Sequence, residues 1–258
     1  MRHIGEKMIL LLCIAVFGIA AVKLIDIGKE YYDGQKEYKE LKAYIKEVPV
    51  CQPEKMKGDE SEKETGKEID FEGLRKINED LVAWIQIPGI GLDYPVVQGE
   101  DNEYYLYHTF QKENNKAGSI FLDYRNHDDF TDRRVILYGH NMKDSSMFSG
   151  LMKYTDKSFW ETHKTIRFDT LTEKCDYEVI AAFKTVVYTD SPESFKYYQF
   201  VNADTADEFN AYITKCKELA LYDTGVTAEY GDKLITLSTC EYSRNNGRMV
   251  VVAKKIAE

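Results

Sequence analysis

The sequence has little of what several protein classes require. It holds only five cysteines in 258 residues, and no two of them form a Cys-x-x-Cys pair. A disulfide framework and a structural zinc site are therefore both disfavoured, and the odd number leaves at least one thiol free. Basic charge is also short, since the net charge is −10. Because nucleic-acid binding needs a basic surface to meet phosphates, this charge argues against nucleic acid as a partner.

One long apolar run is present, near the N-terminus. Residues 8–22 are continuously apolar, with basic residues on both sides. The stretch 8–27 approaches the ~20 residues that cross a bilayer, provided that Lys23 reaches the interface. We expect a retained transmembrane signal-anchor over 8–27, with residues 1–7 in the cytoplasm and the rest of the chain outside the cell membrane. A cleaved signal peptide is the alternative, since residues 18–20 (Gly-Ile-Ala) offer a small-residue cleavage site.

Two further segments separate this run from the globular part. Apolar residues recur at three- and four-residue steps through residues 28–50, which predicts an amphipathic helical stalk that ends at Pro49. Residues 51–68 are almost all polar or charged and predict a flexible linker. From 69 to 258 the pattern is that of one globular domain.

The globular region is predicted to be mainly β. Short segments rich in β-branched and aromatic residues, bounded by Gly, Pro, Asn or Asp, are typical of strands. They cover 83–87, 92–97, 119–122, 135–138, 165–168, 177–187, 233–237 and 249–253. Helices are predicted near 71–77, 147–154 and 206–221. Many short strands with few helices favour a barrel or a sandwich over alternating βαβ units.

The two closing strands bring a thiol and a guanidinium together. The run 234–239 ends at Cys240, a polar loop follows, and Arg248 opens the apolar run 249–252. This order predicts a β-hairpin with Cys240 and Arg248 on one rim. A nearby cation favours thiolate over thiol, and the guanidinium N–H groups can meet an oxyanion. Taken alone, such a cysteine is usually a small core residue.

A third strand ends in Gly139-His140-Asn141, which places an imidazole at a turn. Histidine is suited to proton transfer near neutral pH, and a cysteine nucleophile needs such a partner. An isolated turn histidine more often bonds only to backbone. The other histidines lack this position at the end of a strand, so His140 is the candidate acid/base.

These residues lie in segments that together resemble the class B sortases of Gram-positive bacteria. The likeness runs from about Phe71 to Ile256, and the combination of short motifs with the N-terminal apolar run makes it specific. The segments are LYGHNMKDSSMF (137–148), TLSTC (236–240) and RMVVVAKK (248–255), with VAWIQIPG (82–89), DYPVVQG (93–99), DNEYYL (101–106) and GSIFLDYRN (118–126).

The resemblance implies a closed eight-stranded sortase-type β-barrel, with added N-terminal helices and a helix in the connection before the cysteine strand. It implies a cysteine transpeptidase that cuts a sorting motif after its threonine in secreted proteins. The new carboxyl end then passes to an amine of the lipid-linked peptidoglycan precursor. By match, Cys240 forms the thioester, His140 exchanges protons and Arg248 stabilises the oxyanion. No cofactor and no metal are implied.

The same match assigns substrate-binding residues to a groove beside the cysteine. Ser238 lies two residues before Cys240, so on a regular strand it shares the face of the cysteine. An ordinary strand hydroxyl is the competing interpretation. The residues assigned in this way are Asn102, Leu106, Ser238, Glu241 and Tyr198.

Several alternatives stay open at this point. Arg244 competes with Arg248, and Asp123 is a candidate to orient His140, although a structural role is favoured for it. A secreted cysteine peptidase that only hydrolyses is disfavoured, because papain-like enzymes place cysteine before histidine. A catalytically silent membrane-anchored scaffold is disfavoured by the presence of all three candidate catalytic residues.

Overall fold

The computed structural model describes residues 2–49, 65–187, 194–203 and 205–256. Its α-helices are α1 (Arg2–Leu41), α2 (Phe71–Arg75), α3 (Lys157–Thr162) and α4 (Ala206–Leu219). Short 3-10 helices cover Lys42–Tyr44, Tyr104–Leu106, Phe148–Thr155 and Tyr197–Gln199. Its strands are β1 (Ile45–Pro49), β2 (Thr65–Ile69), β3 (Leu81–Ile87), β4 (Leu92–Val97), β5 (Ile120–Leu122), β6 (Arg134–Tyr138), β7 (Thr165–Thr170), β8 (Lys174–Val186), β9 (Leu234–Glu241) and β10 (Gly247–Lys255).

Eight of these strands form a closed barrel, in the order β10-β8-β7-β3-β4-β5-β6-β9. Two neighbouring pairs are parallel, β4 with β5 and β6 with β9, and the others are antiparallel. Closure gives every barrel strand two hydrogen-bonded neighbours, so the barrel has no open sheet edge. The predicted eight-stranded barrel is confirmed.

The barrel strands are apolar on both faces because both faces are covered. Along β10, Met249 and Val251 pack in one large apolar cluster, while Val250 and Val252 pack in a second cluster under α4. Successive side chains of a strand point to opposite faces, so the two clusters lie on the two sides of the same strand. This explains why the sequence of β10 reads as a continuous apolar run rather than as an alternating one.

Helix α4 lies within the connection between β8 and β9. Thr205 and Glu208 form a capping box that satisfies the first backbone N–H groups of the helix. The buried side chains recur at helical spacing and form one apolar stripe, at Phe209, Tyr212, Ile213 and Cys216. The helix predicted before the cysteine strand is confirmed, and it ends at Leu219. The helix predicted near 147–154 is a 3-10 helix instead.

The stalk and linker predictions are partly wrong. The α-helix stops at Leu41, and Ile45–Pro49 forms a strand that pairs antiparallel with Thr65–Ile69. Ile45 lies opposite Ile69 in this pair. Local periodicity could not reveal the pairing, because each strand obtains its backbone partners from a segment about twenty residues away. The remainder of the predicted linker, residues 51–64, lies outside the described residues, as does residue 50 at the end of the predicted stalk.

The first part of α1 carries apolar side chains on all sides and in the open. Between Leu10 and Ile27 the large apolar side chains are at least 42% exposed, with Ile27 the lowest. Among the described residues, one helix, within Leu10–Tyr44, is long and apolar enough to cross a membrane. A helix that is apolar all round and faces no protein suits lipid rather than water. The segment fits a membrane anchor or a signal sequence.

Gly118 lies at a tight crossing of two backbone segments just before β5. Its φ is +57°, and a Cβ at this position would lie 2.5 Å from the Tyr105 carbonyl oxygen and 2.7 Å from that of Leu106. Gly225 has a similar φ of +70°, but no heavy atom of the described residues lies within 4 Å of such a Cβ. Both positions therefore favour glycine because of their positive φ, and of the two, only Gly118 also lacks the space for a side chain.

We expect Gly118→Ala to lower the free energy of unfolding by about 3 kcal/mol, since the left-handed torsion and the overpacking each cost about 1–2 kcal/mol or more. Gly225→Ala should cost only the torsional part, about 1 kcal/mol. Urea denaturation followed by tryptophan fluorescence measures both. Equal losses for the two variants would show that the crossing at Gly118 is not tight.

Candidate active site

Cys240 and Arg248 face each other across two neighbouring strands. Cys240 lies near the end of β9, and the antiparallel register pairs it directly with Arg248 near the start of β10. Residues that pair directly in an antiparallel ladder project from the same face of the sheet. Both are half-buried. The predicted hairpin is therefore confirmed, and it places thiol and guanidinium at one rim of the barrel.

His140 reaches the same rim from β6, the other neighbour of β9. The parallel register pairs Tyr138 with Ser238, so two residues further along each chain His140 lies level with Cys240. Side-chain bonds fix this extension beyond the strand: Thr239 Oγ1 donates to Gly139 O at 2.8 Å, and Asn141 Nδ2 donates to Cys240 O at 2.9 Å. The three candidate catalytic side chains thus come from three adjacent strands.

The glycine before His140 is required for space rather than for its torsion. Gly139 does not adopt a positive φ. A Cβ at this position would lie 2.9 Å from the ring of Phe148. Phe148 also donates its backbone N–H to His140 O at 2.9 Å. The strand end therefore packs closely against the segment that follows the histidine.

The imidazole of His140 is oriented by a backbone carbonyl. Its Nε2 lies 2.8 Å from Leu106 O. A carbonyl oxygen only accepts, so Nε2 carries a hydrogen and donates it. This bond leaves Nδ1 as the nitrogen that can take a proton from, or give one to, a reacting group. Leu106 was predicted only as a residue that lines the groove, and the bond from its main-chain oxygen to His140 was not predicted.

Cys240, His140 and Arg248 line one cleft of about 360 Å³. Four of the five predicted groove residues line it as well: Asn102, Leu106, Ser238 and Tyr198. Ser238 is buried and bonds through its hydroxyl to Tyr197 Oη at 2.6 Å. Its predicted position on the face of Cys240 is confirmed.

Glu241, the fifth predicted groove residue, does not line the cleft. It follows Cys240 directly on β9, so its side chain leaves the opposite face of the strand. Its carboxylate accepts bonds from Ser243 N at 3.1 Å and Ser243 Oγ at 2.7 Å, and lies 3.3 Å from Lys184 Nζ. The assignment of Glu241 to the groove is therefore not supported by its position, and these contacts brace the turn between β9 and β10.

Among the described residues, no hydrogen bond joins Asp123 to His140. The Asp123 carboxylate forms a bidentate ion pair with Arg125, with Nε to Oδ1 at 2.9 Å and Nη2 to Oδ2 at 2.7 Å. It also accepts a hydrogen bond from Tyr138 Oη at 3.0 Å. The structural role favoured for Asp123 agrees with these contacts. Burial acts to raise the pKa of Asp123, and the bonds from Arg125 and Tyr138 more than offset it, so the pKa lies below its usual value.

Arg125 is a cleft residue that the sequence analysis did not single out. It lines the cleft together with Tyr107, Tyr138 and Tyr197. Besides its pair with Asp123, it donates to Tyr198 O at 2.8 Å. This bond connects the loop after β5 to the segment that contains Tyr197 and Tyr198, here called the cleft wall. For Tyr138 a signal existed, because it lies two residues before His140 on an extended segment. For Arg125 the sequence offered none.

Arg134, a buried residue of β6, also bonds to the cleft wall. It is 1% exposed, donates Nη2 to Tyr197 O at 2.8 Å, and stacks its guanidinium 4.4 Å from the centre of the Tyr212 ring. Within the described part of the chain its Nε and Nη1 have no hydrogen-bond partner. A buried cation held by one carbonyl and one ring ties the 3-10 helix Tyr197–Gln199 to β6.

No group of three or more His, Cys, Asp or Glu side chains suited to a metal ion occurs among the residues that the structure describes.

The pair of Asp123 and Arg125 predicts a defined pH dependence. The folded pKa of Asp123 is lowered, so its contribution to stability is present above its ordinary pKa of 3.8 and is lost as the pH falls through the lower folded value. We expect Asp123→Asn to lower the free energy of unfolding by about 2–3 kcal/mol at pH 7, a typical cost for losing hydrogen bonds to a buried charge.

The difference between wild type and Asp123→Asn should be constant from pH 7 to about 5 and should shrink below about 4. Urea denaturation at several pH values measures it. Asp129→Asn is the matched control, because Asp129 also has a lowered pKa but is exposed. A difference that persists unchanged at the lowest pH would contradict the assignment of a charged Asp123.

Comparison with known proteins gives concordant results. A sequence model of the sortase domain matches residues 85–256. Sortase B of Listeria monocytogenes is 40% identical over 187 residues, which cover 72% of this chain and 73% of the relative. Sortase B of Staphylococcus aureus is 42% identical over 193 residues, which cover 72% of this chain and 74% of the relative.

Solved structures agree with these sequence matches. The crystal structure of sortase B from B. anthracis in complex with AAEK1 superposes with a TM-score of 0.73 at 34% identity, and the match covers 90% of this chain and 100% of that one. The crystal structure of a sortase B complexed with triglycine gives a TM-score of 0.66 at 38% identity, over 72% of this chain and 85% of that one.

Proposed function

The chain belongs to the sortase family and is a cysteine transpeptidase of the cell-wall-anchoring type, and from this premise we propose that Cys240, His140 and Arg248 carry out the transfer. The observation that carries the proposal is the register of three adjacent strands, which brings the side chains of Cys240, His140 and Arg248 into one cleft. Each has the chemistry that its role needs: a nucleophilic sulfur, a proton carrier and a fixed cation.

In the first half-reaction, Cys240 gives its proton to His140 Nδ1, and its Sγ attacks the carbonyl carbon of the threonine in the sorting motif. The carbonyl π electrons move to oxygen, and Arg248 donates hydrogen bonds to the oxyanion that forms. As the oxyanion collapses, the C–N bond breaks and His140 gives its proton to the leaving amine. The product is a thioester between Cys240 and the threonine.

In the second half-reaction, an amine of the acceptor attacks the thioester. His140 takes a proton from the attacking nitrogen, the C–S bond breaks, and the new amide leaves the cleft. The sulfur returns to its starting state, so the cycle closes without an external reagent. A sortase B has been crystallised with triglycine, which supports a glycine-containing amine as the acceptor class for this chain.

The partners follow from this reaction. The donor is a secreted protein with a C-terminal sorting motif, and the acceptor is the amine of a lipid-linked peptidoglycan precursor. Asn102, Leu106, Ser238 and Tyr198 line the cleft beside Cys240 and are the residues we propose to contact the donor peptide. Glu241 is left out of this set because of its position.

For localisation we propose a single-pass membrane protein. Residues 1–7 lie in the cytoplasm, 8–27 cross the membrane, and the barrel lies outside the cell. The exposed apolar side chains of α1 support this arrangement. This arrangement places the barrel on the side of the membrane where the secreted donor protein and the peptidoglycan precursor meet.

The direct test is a peptide-library cleavage assay on the chain from residue 28 onward, read by mass spectrometry with and without triglycine. We expect cleavage after threonine and a triglycine adduct on the new carboxyl end. Cys240→Ala should form neither thioester nor adduct, and the matched control Cys175→Ala, at a buried thiol of β8, should form both. Cleavage without any adduct at saturating triglycine would instead indicate a peptidase.

The arginine assignment has its own test. We expect Arg248→Ala to lower kcat/KM for transfer about 10²–10³-fold, a typical loss for one oxyanion donor. Arg244→Ala should stay within about twofold, because Arg244 is an exposed residue of the turn and does not line the cleft. Steady-state kinetics with one sorting peptide measure both variants. The reverse order of effects would move the role to Arg244.

A further inference from the structure

The second half of α1 is packed against the barrel and does not stand away from it. Within residues 30–41, here called the docked segment, Tyr38 is 7% exposed and Leu41 is 1% exposed. On the opposite side of the same helix, Lys36 and Glu40 are 58% and 61% exposed. The docked segment is continuous with the apolar part of α1.

The docked segment bonds to the loop before β5. Tyr38 Oη donates to Gly118 O at 2.7 Å and lies 3.0 Å from Ser119 Oγ. Asn115 Nδ2 donates to Glu30 O at 2.8 Å, and Gly34 leaves the space that the Asn115 amide occupies. The contacts are polar at both ends and close in the middle, which fixes the helix along its length.

This loop supports the carbonyl that orients His140. A Cβ at Gly118 would lie 2.7 Å from Leu106 O, so the two backbone segments pass close to each other, and Ser119 N donates to Tyr105 O at 2.9 Å. Leu106 O then accepts the bond from His140 Nε2 at 2.8 Å. A connected path therefore runs from the Tyr38 hydroxyl through two packed backbone segments to the imidazole.

The docked segment also bonds to the loop that follows His140. Gln35 Nε2 donates to Asp144 Oδ2 at 2.8 Å, and the other oxygen of Asp144 accepts from Ser146 N at 3.1 Å. Ser145 and Met147 have φ values of +66° and +55°, in a region that non-glycine residues adopt only when their surroundings hold them there. Contacts with α1 are part of what holds this loop.

We infer that the docked segment positions the catalytic histidine, with Tyr38 and Gln35 as positioning residues on its two sides. The inference rests on the proposed role of His140. Neither residue lines the cleft. Tyr38 acts through the backbone whose Leu106 oxygen bonds to the imidazole, and Gln35 acts through the loop that follows His140 in the chain. Proton transfer needs the donor and acceptor atoms in register, and a misplacement of about 1 Å lowers the rate by as much as ~10²-fold.

The test uses the full chain in nanodiscs and two variants of the docked segment. Tyr38→Phe removes the hydroxyl and keeps the ring, and Gln35→Ala removes an exposed donor that contributes little to folding. Lys36→Ala is the matched control on the outer side of the helix. For each protein, kcat and KM for peptide transfer are measured per active site, counted by titration of Cys240 with a thiol-reactive substrate mimic.

We expect kcat to fall about tenfold in Tyr38→Phe and less in Gln35→Ala, with KM for the peptide within about twofold of wild type. Lys36→Ala should match wild type, since an exposed ion pair contributes little. Counting active sites removes any loss that is due only to misfolded protein. If Tyr38→Phe does not fold, Gln35→Ala carries the test through the same split between kcat and KM.

Wild-type kcat in both variants, while His140→Ala is inactive, would overturn the positioning role and leave the proposed function intact. Activity that survives in His140→Ala would overturn the proposed function itself. A rise in KM with unchanged kcat in Tyr38→Phe would also overturn the inference, since it would place the docked segment in peptide binding rather than in proton transfer.

Discussion

The proposed active site depends on one set of backbone ladders, the pairing of β9 with β6 on one side and with β10 on the other. His140 and Cys240 are one hundred residues apart in sequence, and parallel pairing places them level with each other. Arg248 comes from the antiparallel neighbour. Because hydrogen-bonded strands lie about 4.8 Å apart, the spacing of sulfur, imidazole and guanidinium is set by the sheet itself.

Around this set of ladders, two buried charged side chains have fixed partners. Asp123 is paired with Arg125, an exposed residue that lines the cleft, and Arg134 bonds to the Tyr197 carbonyl and stacks on the Tyr212 ring. Such groups cost free energy to bury unless they are bonded, and once bonded they allow few alternative arrangements. The segment of the cleft that contains Tyr197 and Tyr198 is therefore held in place by hydrogen bonds from Arg134 and Arg125 to its backbone.

The sequence allowed the barrel and the three candidate catalytic residues to be predicted because each residue ends or begins an apolar strand. Glu241 was misplaced although the alternation of side chains along β9 already put it on the other face from Cys240. The pairing of β1 with β2 could not be read, since it joins two segments of ordinary local composition across a polar stretch. The role of the Leu106 carbonyl could not be read either, because a main-chain oxygen leaves no mark in the sequence.

The position of β10 has a consequence for the order of folding. This strand follows all the other barrel strands along the chain, yet in the barrel it lies between β8 and β9. A chain that is delivered from its N-terminal end must therefore leave a gap and fill it with its last strand. The ladder of β10 to β9 is a local hairpin, whereas its ladder to β8 joins residues about sixty or more positions apart, and contacts so distant in sequence form late. Until that second ladder forms, the hairpin that carries Cys240 and Arg248 lacks its neighbour β8, so the cleft is completed only when the barrel closes.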